Sequence, residues 1–440
     1  MLRSFVTTTV ACLATTPCVC LAQQAAAPAG SRLLDNSDPT LNLPVTPIAP
    51  GLRYVIGRNV SSNTIVIDTS AGAVIIDTSR PPASRAHFDV LNKNGVTKAA
   101  YVILTHGHGD HTGGVDLWKK AGAKVVAQEN FAEFLQYQRM LTGFFAIRNG
   151  AQYQFAGGQG AAAQSRGSLA ALAQSASIVP DITFAKQLSL DVGDTHLELY
   201  HTPGETPDHL TVWLPKLKAA FLGDNYYQSF PNMYTLRGTR PRWPAEYIQS
   251  LEKVLSLQPE IVVPSHGTAI VGKAEITRRL TQMRDAIKYV HDAVIAGMNA
   301  GKDARTLMDE IKLPKELDVG EGYGKISWSV RGIYESYAGW FNGDPAEMFS
   351  QSRSSVSPSL VALAGGAQPI ADEAQKLLKS GKEVEALHLT AIGLEGSPGD
   401  KSLLRARIAA FETLIKASTN RNEVGWLQQG LAQAKTALGQ

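Results

Sequence analysis

The feature that most constrains this sequence is a cluster of histidines and one aspartate placed directly after a short apolar run. Ala100–Leu104 reads as a buried strand, and the chain then continues Thr-His-Gly-His-Gly-Asp-His. Gly107 and Gly109 lower the steric cost of the tight backbone that would turn these side chains towards one point. Imidazole and carboxylate groups together are typical zinc ligands, so the segment predicts a metal site rather than a solvated loop. The candidate ligands are His106, His108, Asp110 and His111.

Two metal ions need more ligands than this loop offers, and three later strand-like runs end in suitable groups. These runs begin at Leu197, Ala219 and Ile261. Two divalent cations about 3.5–4 Å apart would activate a shared water as hydroxide at neutral pH. The further candidates are Glu205, Asp224 and His266, with His201 and His209 as rivals to Glu205. Of the two rivals, His201 fits a structural or supporting role better, whereas His209 could be a ligand or a pocket group.

Length and patterning predict an α/β region followed by a helical one. The chain has 440 residues, of which 44% are hydrophobic, so two or three structural units are expected. Strand and helix signals alternate from Leu52 to Val263, which predicts sheets covered by helices. Lys273–Ala300 is expected to be a long helix, and helical periodicity dominates beyond Pro358. The net charge of +3 gives no electrostatic reason to expect nucleic acid or an acidic membrane as partner.

The amino terminus has the pattern of an export signal. Residues 1–22 combine an early positive charge, an apolar stretch and small residues around Ala22. Residues 23–50 are rich in Ala, Pro, Ser and Asn and are expected to form a flexible leader. The three cysteines all fall within the predicted signal, so the mature protein would contain none. This pattern predicts a periplasmic or secreted protein without a stable membrane anchor.

The order of these motifs resembles the metallo-β-lactamase superfamily, over about residues 52–270. Glu205 stands where most of that superfamily has histidine, and this resembles the alkyl sulfatase branch. The segments Ile147–Tyr153 and Asn232–Gly238, and the stretch from Tyr323 to Gly343, resemble the same branch. The resemblance implies an αββα sandwich, expected over residues 51–272, followed by an all-α domain over residues 273–440. It also implies that the helical domain forms a homodimer.

The resemblance assigns roles to the candidate residues. His106, His108 and Glu205 would hold the first of two zinc ions; Asp110, His111 and His266 would hold the second. Asp224 would bridge the two, although the branch usually has glutamate there. Asp110 and Asp224 are the expected catalytic carboxylates. The expected substrate-binding residues are Arg237, Asn232, Tyr153 and Arg240.

The resulting functional hypothesis is zinc-dependent hydrolysis of an alkyl sulfate ester to an alcohol and sulfate, by a hydroxide that two metal ions activate. The partner would be a small anionic ester. A two-metal hydrolase of carboxylic esters, lactones or β-lactams is the alternative, and a non-catalytic binding module is a third reading. For two sets of aromatic residues, the sequence is compatible either with packing in the core or with a functional role. Phe131, Phe134, Phe144, Phe145 and Phe155 could line an alkyl channel; Trp328, Tyr334, Tyr337 and Trp340 could form a dimer interface.

Overall fold

The computed structural model describes residues 43–153 except 59 and 82, residue 169, and residues 177–440. Within these ranges the first sheet has seven strands that lie side by side in chain order. The first four strands pair antiparallel, and the remaining three continue in parallel. The strands are β1 (Val45–Ala49), β2 (Leu52–Val55), β3 (Thr64–Ile67), β4 (Ala73–Ile76), β5 (Ala99–Ile103), β6 (Lys124–Gln128) and β7 (Ile182–Phe184).

The second sheet has six strands in the order β13-β12-β11-β10-β9-β8. All its pairs are antiparallel except β11 with β12, which are parallel and joined by a crossover that contains helix α6 (Pro244–Ser256). The strands are β8 (Gln187–Val192), β9 (Thr195–His201), β10 (Leu210–Leu214), β11 (Ala219–Phe221), β12 (Ile261–Val263) and β13 (Ile270–Val271).

The two sheets pack face to face and carry helices on their outer faces. Ile65 and Ile67 of the first sheet share a buried cluster with Leu199 and Val212 of the second. Strands covered on both faces are largely apolar, and β3, β4 and β10 are buried at every position. Helices α1 (Ala83–Lys93) and α3 (Val115–Lys120) cover the first sheet; α6 and α7 (Lys273–Asn299) cover the second. The predicted αββα sandwich is confirmed.

Three short helices surround the loops at one end of the sandwich. The first follows β5, and the other two lie between β6 and β7. They are α2 (Gly109–Thr112), α4 (Phe131–Met140) and α5 (Thr142–Gln152).

The chain after α7 is helical, as predicted, and α7 itself packs against the second sheet. Ile276 and Leu280 of α7 are fully buried in one cluster with Val262 of β12, because apolar residues recur along one face of this helix. The helix therefore completes the sandwich. The later helices are α8 (Ala304–Glu310), α9 (Ile326–Ala338), α10 (Ser357–Leu363), α11 (Ala367–Lys379), α12 (Glu383–Gly396), α13 (Lys401–Ala417) and α14 (Arg421–Leu438).

The expected leader is shorter at its carboxyl end than predicted. Residues 45–49 form β1, which pairs antiparallel with β2, and Leu43 is buried. Backbone pairing along the edge of the sheet stabilises this segment despite its proline and few large side chains. The predicted signal, the rest of the leader, most of the Gly- and Ala-rich stretch 157–177, and Phe155 lie outside the described residues. Among the described helices, none combines the length and apolar character needed to cross a membrane.

Candidate metal centre

The first ligand group joins the loop after β5 to the loop after β9. His106 Nε2 lies 2.9 Å from His108 Nδ1. Glu205 Oε2 lies 3.4 Å from the first of these atoms and 3.5 Å from the second. His106 and Glu205 are buried and His108 is nearly so. Three donor atoms from two distant segments thus converge on one point, as the sequence predicts.

The second ligand group lies where β11 and β12 end. Phe221 pairs in parallel register with Val263, so Asp224 and His266 each follow three residues beyond paired positions. Asp224 Oδ2 is 3.5 Å from both His111 Nε2 and His266 Nε2. Asp110 Oδ2 is 3.4 Å from His111 Nε2 and 3.2 Å from His266 Nε2. All seven predicted ligands therefore fall into two groups that could each hold a metal ion.

The spacing of the donor atoms fits tetrahedral metal ions. Ligands about 2.0–2.1 Å from a tetrahedral zinc ion are separated from one another by about 3.3 Å. Five of the six imidazole–carboxylate separations quoted above lie between 3.4 and 3.5 Å, and the sixth is 3.2 Å. Glu205 Oε2, His111 Nε2 and Asp224 Oδ1 are buried without a hydrogen-bond partner. Such orphaned groups are costly unless a cation satisfies them, so the residues present fit the two ions.

The charges in the site favour cation binding. Burial lowers the pKa of His266, but Asp224 and Asp110 outweigh it and raise this pKa to about 10. Burial raises the pKa of Glu205, yet Arg242 and His108 hold it well below its usual range. His108 has its pKa lowered to about 4, chiefly by burial. At neutral pH Glu205 is therefore ionised, and His108 is neutral and able to act as a ligand. A metal ion at the second group would have to displace the proton of His266.

Asp77 supports the site and was not identified from the sequence. Its Oδ2 accepts hydrogen bonds from His111 Nδ1 at 2.8 Å, Thr105 Oγ1 at 2.8 Å and Ser265 Oγ at 2.7 Å. The bond to His111 leaves the Nε2 of that residue to face the second group. The only sequence signal was an acidic residue ending the apolar run of β4, a position that many strands share.

Arg242 is a second supporting residue that sequence reasoning missed. Its Nη1 donates to Glu205 Oε1 at 2.8 Å and to the Asn232 carbonyl at 2.8 Å, and the side chains of Arg242 and Glu205 are both buried. The contact occupies one carboxylate oxygen and leaves Oε2 for the histidines. Arg242 lies 37 residues from Glu205, so no local motif signals the pair.

The two rival histidines lie outside both ligand groups. His201 Nε2 is 2.9 Å from the Pro207 carbonyl, which fits the structural role that the sequence favours. His209 is buried, stacks on the His106 ring at 5.2 Å, and accepts a hydrogen bond at Nε2 from the Asp224 N–H. His209 thus supports the loop that carries Asp224.

The structure brings three of the four predicted substrate residues to the rim of the first ligand group. Arg237 Nη2 lies 3.2 Å from His108 Nε2. Asn232 is buried against Arg242, and its side-chain oxygen has no partner. Tyr153 Oη lies 3.3 Å from Tyr323 Oη. Burial lowers the pKa of Arg237, but the nearby phenols of Tyr153 and Tyr323 outweigh it, together with carboxylates of the ligand groups. The pKa of Arg237 is therefore raised.

Arg240 differs from the prediction. Its side chain is exposed and pairs with Glu133 at 2.9 Å. It follows Arg237 by three residues in an irregular segment, so the chain turns the two guanidinium groups to different neighbours. No contact among the described residues joins Arg240 to either ligand group.

Of the four phenylalanines predicted before residue 155, three are buried and one is exposed. Phe131, Phe134 and Phe145 are buried, and Phe134 packs edge-on to His108 at 5.4 Å. Phe144 is 47% exposed. Packing therefore accounts for three of them, and one is left on the surface.

The αββα sandwich brings two His/Asp/Glu groups, each able to hold a metal ion, to converging strand ends. Residues 57–266 match the metallo-beta-lactamase superfamily and residues 303–435 match the alkyl sulfatase dimerisation family. The chain therefore combines a metallo-β-lactamase superfamily domain with an alkyl sulfatase dimerisation region, and it is an enzyme of the hydrolase class.

Individual relatives agree with this assignment. A linear primary-alkylsulfatase from Pseudomonas is 29% identical over 82% of this chain and 72% of its own length. An (R)-specific secondary-alkylsulfatase from Pseudomonas is 27% identical over 83% of this chain, which spans 59% of that relative. A solved structure, the stereoselective inverting sec-alkylsulfatase from Pseudomonas, superposes with a TM-score of 0.80 at 22% identity, covering 91% of this chain and 67% of that one. The structural likeness establishes the fold.

Proposed function

We propose that this protein is a zinc-dependent hydrolase that cleaves alkyl sulfate esters, adding water and releasing an alcohol and sulfate. The similarity to alkylsulfatases over most of the chain supports this substrate class. Two ligand groups with nitrogen and oxygen donors support zinc, two per chain. When bound, the metal ions supply a nucleophile from water at neutral pH and polarise the ester oxygen.

The observation that carries the proposal is the position of Arg237. His108 directs Nδ1 towards its ligand group, so a neutral imidazole in a metal-bound site carries its proton on Nε2. That nitrogen can then no longer accept a hydrogen bond from Arg237, which lies 3.2 Å away. No carboxylate among the described residues forms an ion pair with Arg237, and its Nε is buried without a partner. A planar cation in this position fits the oxygens of a sulfate group.

The other residues of the site orient the metal ligands or add polar groups beside them. Asp110 and Asp224 place the two imidazoles of the second group and remain our candidates for the catalytic carboxylates. Asn232 adds a buried polar group beside Glu205 and Arg242. Tyr153 and Tyr323, whose hydroxyl groups lie 3.3 Å apart, both act on the charge of Arg237 and can donate to an anionic oxygen.

Sulfate release from a series of alkyl sulfates by the zinc-loaded protein tests this function. We expect Arg237→Ala to lower kcat/KM about a hundredfold or more, because a charged hydrogen bond to the developing anion is lost. Zinc content should not change. Arg240→Ala is the matched control and should stay within about twofold, because its ion pair is exposed. Full sulfatase activity in the Arg237 variant would refute the proposed role of Arg237 in binding the sulfate group. Hydrolysis of lactones or β-lactams without sulfate release would favour the alternative substrates.

We further propose that the protein is a homodimer and is exported to the periplasm or secreted. The match to the alkyl sulfatase dimerisation family supports the homodimer, and the signal-like amino-terminal sequence supports export. Tyr337 and Trp340 are 45% and 75% exposed, which suits an interface. Trp328 and Tyr334 are partly buried, and Tyr334 packs against the core beneath the second sheet.

A further inference from the structure

The last helix of the chain contacts the sandwich beside the metal centre. Gly425 of α14 lies so close to α5 that an added Cβ would sit 2.1 Å from the Gln152 carbonyl oxygen. The next residue, Trp426, donates from Nε1 to Gln152 Oε1 at 3.4 Å. Its ring centroid is 5.0 Å from the guanidinium of Arg148. Helix α14 therefore packs against α5 and contacts Gln152 and Arg148.

Those same two residues fix the backbone that carries Arg237. Gln152 is fully buried, and its Oε1 accepts from the Arg237 N–H at 2.8 Å. Arg148 donates from Nε to the Arg237 carbonyl at 2.7 Å and from Nη2 to the Leu236 carbonyl. The guanidinium of Arg148 lies over the rings of both Phe144 and Trp426, at 5.2 and 5.0 Å from their centroids. Both peptide groups that flank the Arg237 side chain are thus held by α5.

The start of α14 also holds the backbone of the segment that carries Tyr323. Asn422 Nδ2 donates to the Tyr323 carbonyl at 3.0 Å. Asn420 Nδ2 donates to the same carbonyl at 3.1 Å and to the Glu321 carbonyl at 2.7 Å. Both asparagines are buried. The Tyr323 hydroxyl lies 3.3 Å from that of Tyr153, so the amino-terminal end of α14 holds the backbone of a residue that contacts Tyr153.

We propose that the amino-terminal end of α14 positions the anion-binding pocket, through Trp426 acting on Arg148 and Gln152 behind Arg237, and through Asn422 acting on Tyr323. The proposal rests on the proposed role of Arg237. It gives the carboxyl-terminal helical region a part in substrate binding that is separate from dimerisation. None of these α14 residues contacts the ligand groups among the described contacts, so they are positioning residues.

Inorganic sulfate, the product of the proposed reaction, is the probe, and its inhibition constant is measured with the zinc-loaded full chain. We expect Trp426→Leu and Asn422→Ala each to raise this constant about three- to tenfold, the scale of one lost hydrogen bond. The KM for the ester should rise in step, while zinc content stays at the wild-type value. Lys435→Ala, on the same helix and exposed beside Glu412, is the control and should change nothing.

Arg148 offers a conservative comparison. Arg148→Met removes both donors to the loop carbonyls, and we expect a larger rise in the sulfate constant than for Trp426→Leu. Arg148→Lys keeps one donor and should recover part of the loss. A wild-type constant in Arg148→Met, or equal effects of lysine and methionine, would overturn the proposal.

A double-mutant cycle separates positioning from general damage to the fold. If Trp426 acts through Arg237, then Trp426→Leu should have no further effect on sulfate binding in the Arg237→Ala background. An undiminished effect there would overturn the proposal. If Arg237→Ala alone leaves the sulfate constant unchanged, Arg237 does not bind the sulfate group, and the proposed function loses the observation that carries it. If Arg237→Ala raises the constant and the α5 and α14 variants do not, only the positioning role fails.

Discussion

At the scale of single residues, the first ligand group combines two histidines with a carboxylate, Glu205, whose orientation has to be fixed. A histidine offers one nitrogen in one direction, whereas Glu205 has two oxygens and a flexible stem. Arg242 bonds one of those oxygens and the Asn232 carbonyl, so Glu205 is held between a fixed cation and the two imidazoles. The arginine thus makes the carboxylate act through a single, directed oxygen.

Removal of Arg242 should therefore weaken the first metal position selectively. We expect Arg242→Ala to reduce zinc affinity there about ten- to a hundredfold, the usual effect of losing a group that orients a metal ligand. The second group, which includes no contact with Arg242, should keep its ion. Zinc titration against a chelating dye measures both steps, and Arg242→Lys should recover part of the affinity. Equal weakening of the two steps would argue that Arg242 acts through the fold instead.

At the scale of secondary structure elements, each ligand is set by where a strand stops. The histidine-rich loop and the three later strand ends could be recognised in the sequence because a change from apolar to polar residues marks each of them. Asp77 and Arg242 could not, since one resembles any acidic strand end and the other lies in an irregular segment far from its partner. The position of β1 was also hidden, because a short edge strand is stabilised by backbone pairing rather than by a distinctive side-chain pattern.

The turn after β11 leaves no room for a side chain at Gly223. Gly223 has a φ of +53°, and a Cβ placed on it would lie 2.4 Å from His209 Nε2, the acceptor of the Asp224 N–H. We expect Gly223→Ala to lower the free energy of unfolding by about 2–4 kcal/mol, from backbone strain and overpacking together. It should also weaken zinc binding at the second group by displacing Asp224.

Gly95→Ala is the control for the backbone contribution. Gly95 also has a positive φ, +88°, but nothing lies within 4 Å of the added Cβ. Its cost should be limited to about 1 kcal/mol, with zinc binding unchanged. Denaturant unfolding of both variants measures the difference. Similar destabilisation by the two substitutions would show that the contact with His209 contributes little.

At the scale of the whole molecule, the metal centre and the proposed dimer are separable. All seven candidate ligands come from one chain, so both ligand groups form from the residues of a single subunit. The helical region, by contrast, leaves large apolar side chains on the surface after α9, where Trp340, Phe349 and Leu363 are 75%, 68% and 84% exposed. Aromatic residues are enriched in protein interfaces, so a second copy of the chain is the occupant we propose for this surface.

Charges placed on this surface should therefore dissociate the dimer without disabling the site. We expect Trp340→Glu combined with Phe349→Glu to shift the mass measured by sedimentation from two chains to one, because a buried unpaired carboxylate is costly at an interface. Zinc content and sulfate release per chain should persist. Val271→Glu, at an equally apolar and 63% exposed position on the edge strand β13, is the control and should remain dimeric. A wild-type protein that is monomeric, or a double variant that stays dimeric, would place the interface elsewhere. Loss of zinc on dissociation would show instead that the partner subunit stabilises the metal centre.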